Sequence, residues 1–524
     1  MAWQKTTAAS YRAVLQNIVE MATSKHISAV AINTAGTGYV VGDILTITHA
    51  GAAQDATVEV LTVGGSGDIT SVTLRNMGAF SNRIATVAVN AGGTGYAVND
   101  ILQIQGGTYT QMGKAKVTSV SGGVVTGVSL FESGGAYSAA PGLTGASTVG
   151  IGPSTYAGND DCTLDLTMTG LIGTTGISAT GGTGSGATFN LTLTDTGWTA
   201  VRDKHDYSFN SVNDEKEVVL EGTVSSGDVP FLGFRSFTAI DGANTRYGIL
   251  LAGMASHNPT LSFGSNLHFG PGAGTPGDSG HSYLPIINQS NDMWLSITGR
   301  RIITVVKNQG GSILSYQTIY MGLLNPYGTA TENPWPMYIS GSTSDYNVPP
   351  DAGTNNVTGP TEVVAPGTSP VWFFHPTTYT WTQVKNSSGT GEFQDYVVYP
   401  IGNPKVPSTT DPDFCAQSNA ATIPAGIAKN DRTAATYQLR PTPMTGGDLF
   451  VLFPATLVRT PNIANNIETD VHGELDNIFW ISASKDDGTK LTAEDTITQS
   501  GIRYRIFPNA HNTRRYSYFC MREF

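Results

Sequence analysis

Reactive side chains in this sequence need partners at defined spacing, and the search for those partners sets its reading. Gly277-Asp278-Ser279-Gly280 sets a serine in a glycine-bounded tetrapeptide and makes it a candidate acyl-transfer nucleophile. That chemistry needs a histidine base and a buried aspartate to orient it. His205 with Asp206, and His257, lie upstream, but Ser279 falls in the Gly/Pro-rich run GPGAGTPGDSGHS, which reads as a surface loop. Asp160-Asp161, Asp411-Pro412-Asp413 and Asp486-Asp487-Gly488 are acidic clusters. None has the alternate-position oxygens and the further carboxylate of a calcium loop, and Asp487-Gly488 is an ordinary hairpin-turn pair. His472, Glu474 and Asp476 place a histidine beside carboxylates on an expected strand, too few groups for a catalytic site. Cys162, Cys415 and Cys520 are odd in number and far apart, which suits buried apolar residues rather than zinc or a disulfide framework. The sequence predicts no catalytic residue, no cofactor and no metal.

Two sets of apolar residues remain as candidate contacts. Trp372, Tyr379 and Trp381, in the run Val371-Trp372-Phe373-Phe374 to Val384, could stack on sugars of a host surface glycan. Tyr11, Leu15 and Ile18 on an N-terminal helix, with Trp335 and Tyr338 in a proline-broken segment, are candidate assembly contacts.

The elements that position these residues are mostly strands. The exception is Thr6–Ser24, a predicted helix capped by Thr6 or Thr7, with Tyr11, Val14, Leu15, Ile18, Val19 and Ala22 at helical spacing. From Ile27 the chain repeats itself. Gly36-Thr37-Gly38-Tyr39-Val40-Val41-Gly42-Asp43-Ile44-Leu45 returns 57 residues later as Gly93-Thr94-Gly95-Tyr96-Ala97-Val98-Asn99-Asp100-Ile101-Leu102. Gly182-Thr183-Gly184-Ser185-Gly186-Ala187-Thr188-Phe189 suggests the close of a partial third copy. The glycines are not a nucleotide loop, because no helix follows to meet a phosphate. The abrupt composition change marks residues 27–196 as a removable module.

Trp198 opens the main domain. Its centre is the stretch Met293–Gly341, where Trp294–Ile297, Arg301–Lys307 and Leu314–Leu324 read as consecutive antiparallel strands. Asn333-Pro334-Trp335-Pro336-Met337-Tyr338 cannot be a central strand on this reading, since two prolines remove two ladder donors. Ser342–Thr368 is a long polar loop suited to lying on a neighbouring subunit. Toward the end, His472–Ile481, a hairpin of Asp495–Thr498 with Ile502–Asn509, and Tyr516–Arg522 are expected strands, with Phe524 tied into a sheet.

The stretch Trp294–Gly341, with Arg300-Arg301, Tyr320-Met321-Gly322 and Asn325-Pro326-Tyr327, resembles a family of tailed-bacteriophage virion structural proteins. The resemblance resumes at the N-terminal helix and at the C-terminal Gly473-Glu474-Leu475-Asp476 and Tyr504-Arg505-Ile506-Phe507-Pro508-Asn509. The Gly-Thr-Gly-Tyr units are similar to modules in phage tail and fibre proteins. The resemblance implies a non-enzymatic subunit of the tail, baseplate or neck, made in the host cytoplasm and located in the virion. It implies other virion proteins as partners and a homo-oligomer, a trimer or a multiple of three. The alternative is a receptor-binding fibre that contacts a host glycan.

Composition is compatible with this. Only 13% of the 524 residues are charged, about half the usual share, so Ser, Thr, Asn and Gly must cover the surface. A net charge of −12 with no basic cluster argues against a nucleic-acid partner, since duplex binding needs phosphate-neutralising cations. No apolar run reaches the length of a membrane span. The expected fold is mainly β: an N-terminal α-helix over 1–26, Gly-rich β repeat modules over 27–83 and 84–150, a partial repeat and linker over 151–196, and a large antiparallel β-sandwich-like main domain over 197–524.

Overall fold

A computed structural model describes residues 1–209 apart from 50, 136, 153–159 and 170–172. It also describes 212–308 apart from 225–228, 242–243, 271–281 and 287, then 316–327, 336–340, 371–375, 380–384, 395–400, 452–460, 470–481, 493–508 and 518–523. The fold is mainly β, as expected, and built largely of antiparallel sheets and barrels, with a parallel pairing at Val384↔Tyr396. The chain divides into two compact units, one of residues 1–223, 233–247 and 292–299, the other of 224–232, 248–291 and 300–524.

The first unit begins with a strand, not a helix. Ala2–Ala8 is extended, and its β-branched Thr6 and Thr7 suit that conformation better than a cap. Gln4 fixes the strand to the first repeat: its Nε2 donates to Asp55 O at 3.1 Å and its Oε1 accepts from Gly78 N–H at 2.9 Å. The helix is Tyr11–Thr23, capped by Ser10, whose hydroxyl accepts from Ala13 N–H at 3.2 Å. The cap therefore lies three to four residues beyond the expected one.

The repeats do not follow one another as tandem modules. The first is a closed six-stranded barrel in the ring order Lys25–Thr37, Ile69–Phe80, Ala52–Val63, Ile44–Ile47, Ile177–Thr180, Ser185–Asp195. Its last two strands arrive only after the whole second repeat. The inward residues alternate along each strand, as in Ala56, Val58, Val60 and in Ala187, Phe189, Leu191, the period-two pattern of a sheet with one buried face.

The second repeat has the same order read in the opposite direction around the ring: Ile84–Ala91, Thr163–Met168, Ala146–Gly152, Ile101–Ile104, Lys114–Ser121, Val124–Glu132. Its two ends meet through Ile84 N–H to Ser133 O (2.9 Å) and Val125 N–H to Gly92 O (3.0 Å). One barrel is thus inserted into the other. Gly182–Phe189 is no third copy but the closing stretch of the first. Its counterpart is in the second barrel, where Cys162-Thr163-Leu164-Asp165-Leu166-Thr167-Met168-Thr169 matches Ala187-Thr188-Phe189-Asn190-Leu191-Thr192-Leu193-Thr194.

After the barrels, Trp198–Phe209 and Val212–Gly222 form an antiparallel hairpin with Trp198 opposite Gly222 and Asp203 opposite Val218. Trp198 Nε1 donates to Thr298 O at 2.6 Å, which anchors the hairpin's open end.

In the second unit, Arg301–Asn308 pairs with Tyr316–Leu323 in full register, confirming two expected strands. Met337–Ile339 then pairs with Tyr316–Leu323 on one side and with Val371–His375 on the other. This corrects the expectation for Met337-Tyr338: past Pro336 the backbone donors are restored, and the residues enter the sheet as a central strand. Val371–His375 and Thr380–Val384 pair antiparallel. Asp470–Ile481 pairs with Phe453–Thr460 and with Tyr518–Arg522. Thr496–Gln499 and Ile502–Pro508 form the expected hairpin around Ser500-Gly501, both at positive φ, as a two-residue hairpin turn requires. Glu523 is tied in by its N–H to Arg503 O at 2.9 Å and by ion pairs with Arg503 and Arg505.

Candidate functional site

The first unit concentrates its buried charge where three segments meet. The second barrel contributes Gln111, Lys114 and Glu132, the hairpin Asp203 and Lys216, and the helix Gln16 and Glu20. Lys114 begins the strand Lys114–Ser121 and Glu132 ends its neighbour Val124–Glu132, opposite it in register. Alternation puts Ala115 and Val117 into the barrel core and turns Lys114 outward, where hairpin and helix cover it. Its side chain is 0% exposed.

Lys114 Nζ lies 2.6 Å from Glu132 Oε2 and 2.5 Å from Asp203 Oδ1. Lys216 Nζ lies 2.5 Å from Glu132 Oε1 and 3.5 Å from Asp203 Oδ1, and donates to Gln16 Oε1 at 2.7 Å. Gln111 Nε2 bridges the carboxylates, 3.0 Å from Asp203 Oδ2 and 3.3 Å from Glu132 Oε2. Gln16 Nε2 donates to Glu20 Oε1 at 2.9 Å. Burial alone would disfavour the Lys216 ammonium, but Asp203 and Glu132 outweigh it and hold its pKa above the usual value. Burial is also what raises the Glu20 carboxyl above the usual range. The arrangement brings two amines onto two carboxylates in a place sheltered from water.

A second network sits alongside. Tyr11 Oη donates to Glu215 Oε1 at 2.8 Å and lies 2.7 Å from Thr238 Oγ1. Ser236 bonds the other oxygen of Glu215, and Arg12 Nη2 reaches Oε1 at 3.4 Å. Glu217 pairs with Arg202 and with Arg235, the latter at 2.8 Å from Nε. Burial first, then the Glu215 charge, push the Tyr11 phenol well above its usual pKa.

The repeated turns form a third, exposed feature. Asp43 Oδ2 accepts from Val40 N–H at 3.0 Å, and Asp100 Oδ2 from Ala97 N–H at 2.8 Å. Gly42 (φ 93°) and Asn99 (φ 81°) both take the left-handed conformation that reverses the chain. Each tyrosine folds back over its barrel end. Tyr39 Oη accepts from Ala187 N–H at 3.3 Å, and Tyr96 Oη from Cys162 N–H at 3.0 Å. The turn of the first barrel leaves Val40 and Val41 more than half exposed.

The residues singled out from sequence fall elsewhere. Tyr11, Leu15 and Ile18 are buried by the chain itself; the helix uses its apolar stripe inside its own unit, so these three offer no face to a neighbour. Tyr338 is fully buried as well, its ring edge-on to Tyr320 at 5.7 Å. Trp335 and Tyr379 lie outside the described residues, as does Ser279. Trp372 and Trp381 lie on paired strands, in registers Trp372↔Gln383 and Phe374↔Trp381. In the second unit, Glu474 accepts from Tyr327 Oη, and Asp476 pairs with Arg301 Nε at 3.0 Å. These carboxylates hold neighbouring strands rather than flank His472 as a site. Among the described residues, no three His, Cys, Asp or Glu side chains converge as metal ligands, and no helix is long and apolar enough to cross a membrane.

Sequence reasoning missed Lys114, Glu132, Asp203 and Lys216. One signal was available: in a chain so poor in charge, Lys114 and the run Glu215-Lys216-Glu217 stand inside or at the start of strands that continue into fully buried apolar residues. No protein-family model matches the chain, and no curated protein matches it in sequence.

Proposed function

We propose that the chain is a non-enzymatic structural subunit of a tailed-phage virion, in the tail, baseplate or neck region, acting by assembly with other virion proteins. One observation carries this reading: the buried ionisable groups of the first unit, Lys114, Glu132, Asp203, Glu215, Lys216 and Glu217, are engaged with groups of the same chain. A catalyst needs a titratable group facing a substrate in a pocket. Here Glu132, Asp203, Glu215 and Glu217 face lysines, arginines and hydroxyls of the same chain. The resemblance of the central stretch, the N-terminal helix and the C-terminal strands to phage virion proteins favours the same reading, and it supplies the expectation of threefold or sixfold self-assembly.

The contacts that would mediate assembly are no longer Tyr11, Leu15, Ile18 or Tyr338. The exposed turn at Val40 and Val41 is a better surface for them. The test is peptide mass spectrometry on gradient-purified particles, together with gold-labelled antibody against the second barrel. The subunit should copurify with intact particles at stoichiometric yield and be labelled at one fixed position. Its absence from washed particles would overturn the proposal. Light scattering of the isolated protein tests self-assembly separately, and a monodisperse monomer at micromolar concentration would refute the homo-oligomer.

A further inference from the structure

We propose that Lys114 and Asp203 become joined by an intramolecular isopeptide bond, formed by the chain itself with Glu132 as the catalytic proton relay. The geometry places nucleophile, electrophile and relay in direct contact. Lys114 Nζ is 2.5 Å from Asp203 Oδ1 and 2.6 Å from Glu132 Oε2. Asp203 Oδ1 is buried and accepts no hydrogen bond, so its contact with Nζ lacks hydrogen-bond alignment. Asp203 Oδ2, by contrast, is held by Gln111 at 3.0 Å. All three reacting side chains are at most 5% exposed.

The proton count allows the reaction without help from solvent. An ammonium beside a carboxylate contains the same protons as an amine beside a carboxylic acid. In the first step one proton passes from Nζ to Asp203, exchanging the charged pair for a neutral one, an exchange that costs less away from water than in it. That single transfer makes the amine nucleophilic and the carboxyl electrophilic. The Nζ lone pair attacks Asp203 Cγ, and the C–N bond forms. Glu132 accepts the proton that the nitrogen must lose and returns it to the departing hydroxyl oxygen. The C–O bond breaks, one water leaves, and Glu132 ends as the carboxylate it began as. No electron changes hands and no co-reactant is consumed. Holding the groups in contact replaces the encounter that makes amide condensation slow in solution, and exclusion of water protects the amide from hydrolysis.

The neighbours fit these roles. Lys216 sits on the other oxygen of Glu132 at 2.5 Å and orients the relay. It is the poorer nucleophile by position, 3.5 Å from Asp203 Oδ1 and engaged by Gln16. The bond would run from the inserted barrel to the hairpin. It would therefore close covalently a junction that is otherwise made of contacts such as Thr110 Oγ1 to Thr23 O (2.7 Å) and Ala200 N–H to Thr110 O (2.9 Å). In an assembled particle such a staple resists pulling on the inserted barrel, a benefit that does not depend on which particle it is.

The test is the intact mass of the purified full-length chain, followed by proteolysis and fragment sequencing. The expected mass is lower than that of the sequence by one water molecule, and the digest should contain a branched peptide joining Lys114 to Asp203. Asp203→Ala and Lys114→Arg should restore the full mass, and Glu132→Gln should leave most molecules unlinked while circular dichroism still reports the folded β-structure. Folded wild-type protein at the full sequence mass, with no branched peptide after prolonged incubation, would overturn the proposal. So would a branch that joins Lys216 or uses Glu132 as the acyl donor. A folded Glu132→Gln variant that links as completely and as fast as wild type would remove Glu132 from the mechanism.

Discussion

His26 makes the stability of the first barrel depend on mild acid. It lies near the start of the strand Lys25–Thr37, opposite Thr194, with its side chain almost wholly buried and its Nδ1 without a hydrogen-bond partner. Burial, as the largest cause, and then the N-terminal ammonium lower its pKa from 6.5 to about 4, with Asp195 pulling the other way. A base whose folded pKa is depressed contributes stability above its unfolded pKa and loses it as pH falls through the folded one. The window is therefore pH 6.5 down to 4. At about 1.4 kcal/mol per unit, the full loss is roughly 3 kcal/mol, of which about 2 kcal/mol should already be gone at pH 5. Urea unfolding followed by tryptophan fluorescence at pH 7.5 and pH 5.0 measures it, with His26→Gln as the control. The variant cancels every other titrating group, so the difference between the two pH slopes belongs to His26. Equal slopes in wild type and variant would refute the reasoning, and so would an imidazole that titrates near 6.5 by nuclear magnetic resonance.

Four further outcomes are expected. Gly36→Ala should cost at least about 3 kcal/mol or prevent folding, because Gly36 has φ +64° and a Cβ there would stand 2.5 Å from Ser185 O and 2.7 Å from the Tyr39 ring. Gly42→Asn should change stability by less than about 1 kcal/mol, since Gly42 faces open space and Asn99 already occupies the matching turn; thermal melts of the two variants decide both. Tyr11→Phe should lose about 1.5–3 kcal/mol in denaturant unfolding, because its hydroxyl bonds the buried Glu215 carboxylate; an unchanged midpoint would show that Ser236 and Thr238 satisfy Glu215 without it. Replacing residues 84–168 with a short linker should destabilise the remainder of the first unit by about 3–5 kcal/mol, since Asp203 and Lys216 lose Lys114, Glu132 and Gln111; a melting temperature equal to wild type would restore the view of the repeats as a removable module.

Much of the local structure was legible in the sequence because it depends on short-range rules. β-branched and apolar runs marked Arg301–Lys307 and Leu314–Leu324 as strands, and Asp495–Thr498 with Ile502–Asn509 read as a hairpin. Apolar spacing placed the helix stripe at Tyr11, Val14, Leu15, Ile18 and Val19, although the start shifted to Ser10 because Thr6 and Thr7 serve equally well in a strand. The 57-residue repeat announced two equivalent β units, though not their closure into barrels, and its Gly-x-Gly-Tyr turn encodes the tyrosine that folds back over a residue without a Cβ.

Which strands close which barrel was not legible. Ala187–Thr194 completes a ring begun at Lys25, with an entire second barrel between them, and strand pairing at that separation leaves no periodic trace. The echo Ala-Thr-Phe-Asn-Leu-Thr-Leu-Thr against Cys-Thr-Leu-Asp-Leu-Thr-Met-Thr was present, but similarity shows that two segments are equivalent, not where either one docks. The same limit applies to Lys114, Glu132, Asp203 and Lys216. Each residue by itself reads as a solvated charge on a strand. Only the tertiary fold removes the water around all four at once and sets an amine against a carboxyl. Sequence determined the periodicity of each element, because that follows from neighbours along the chain; the structure decided which charges are buried together, because that depends on which surfaces meet.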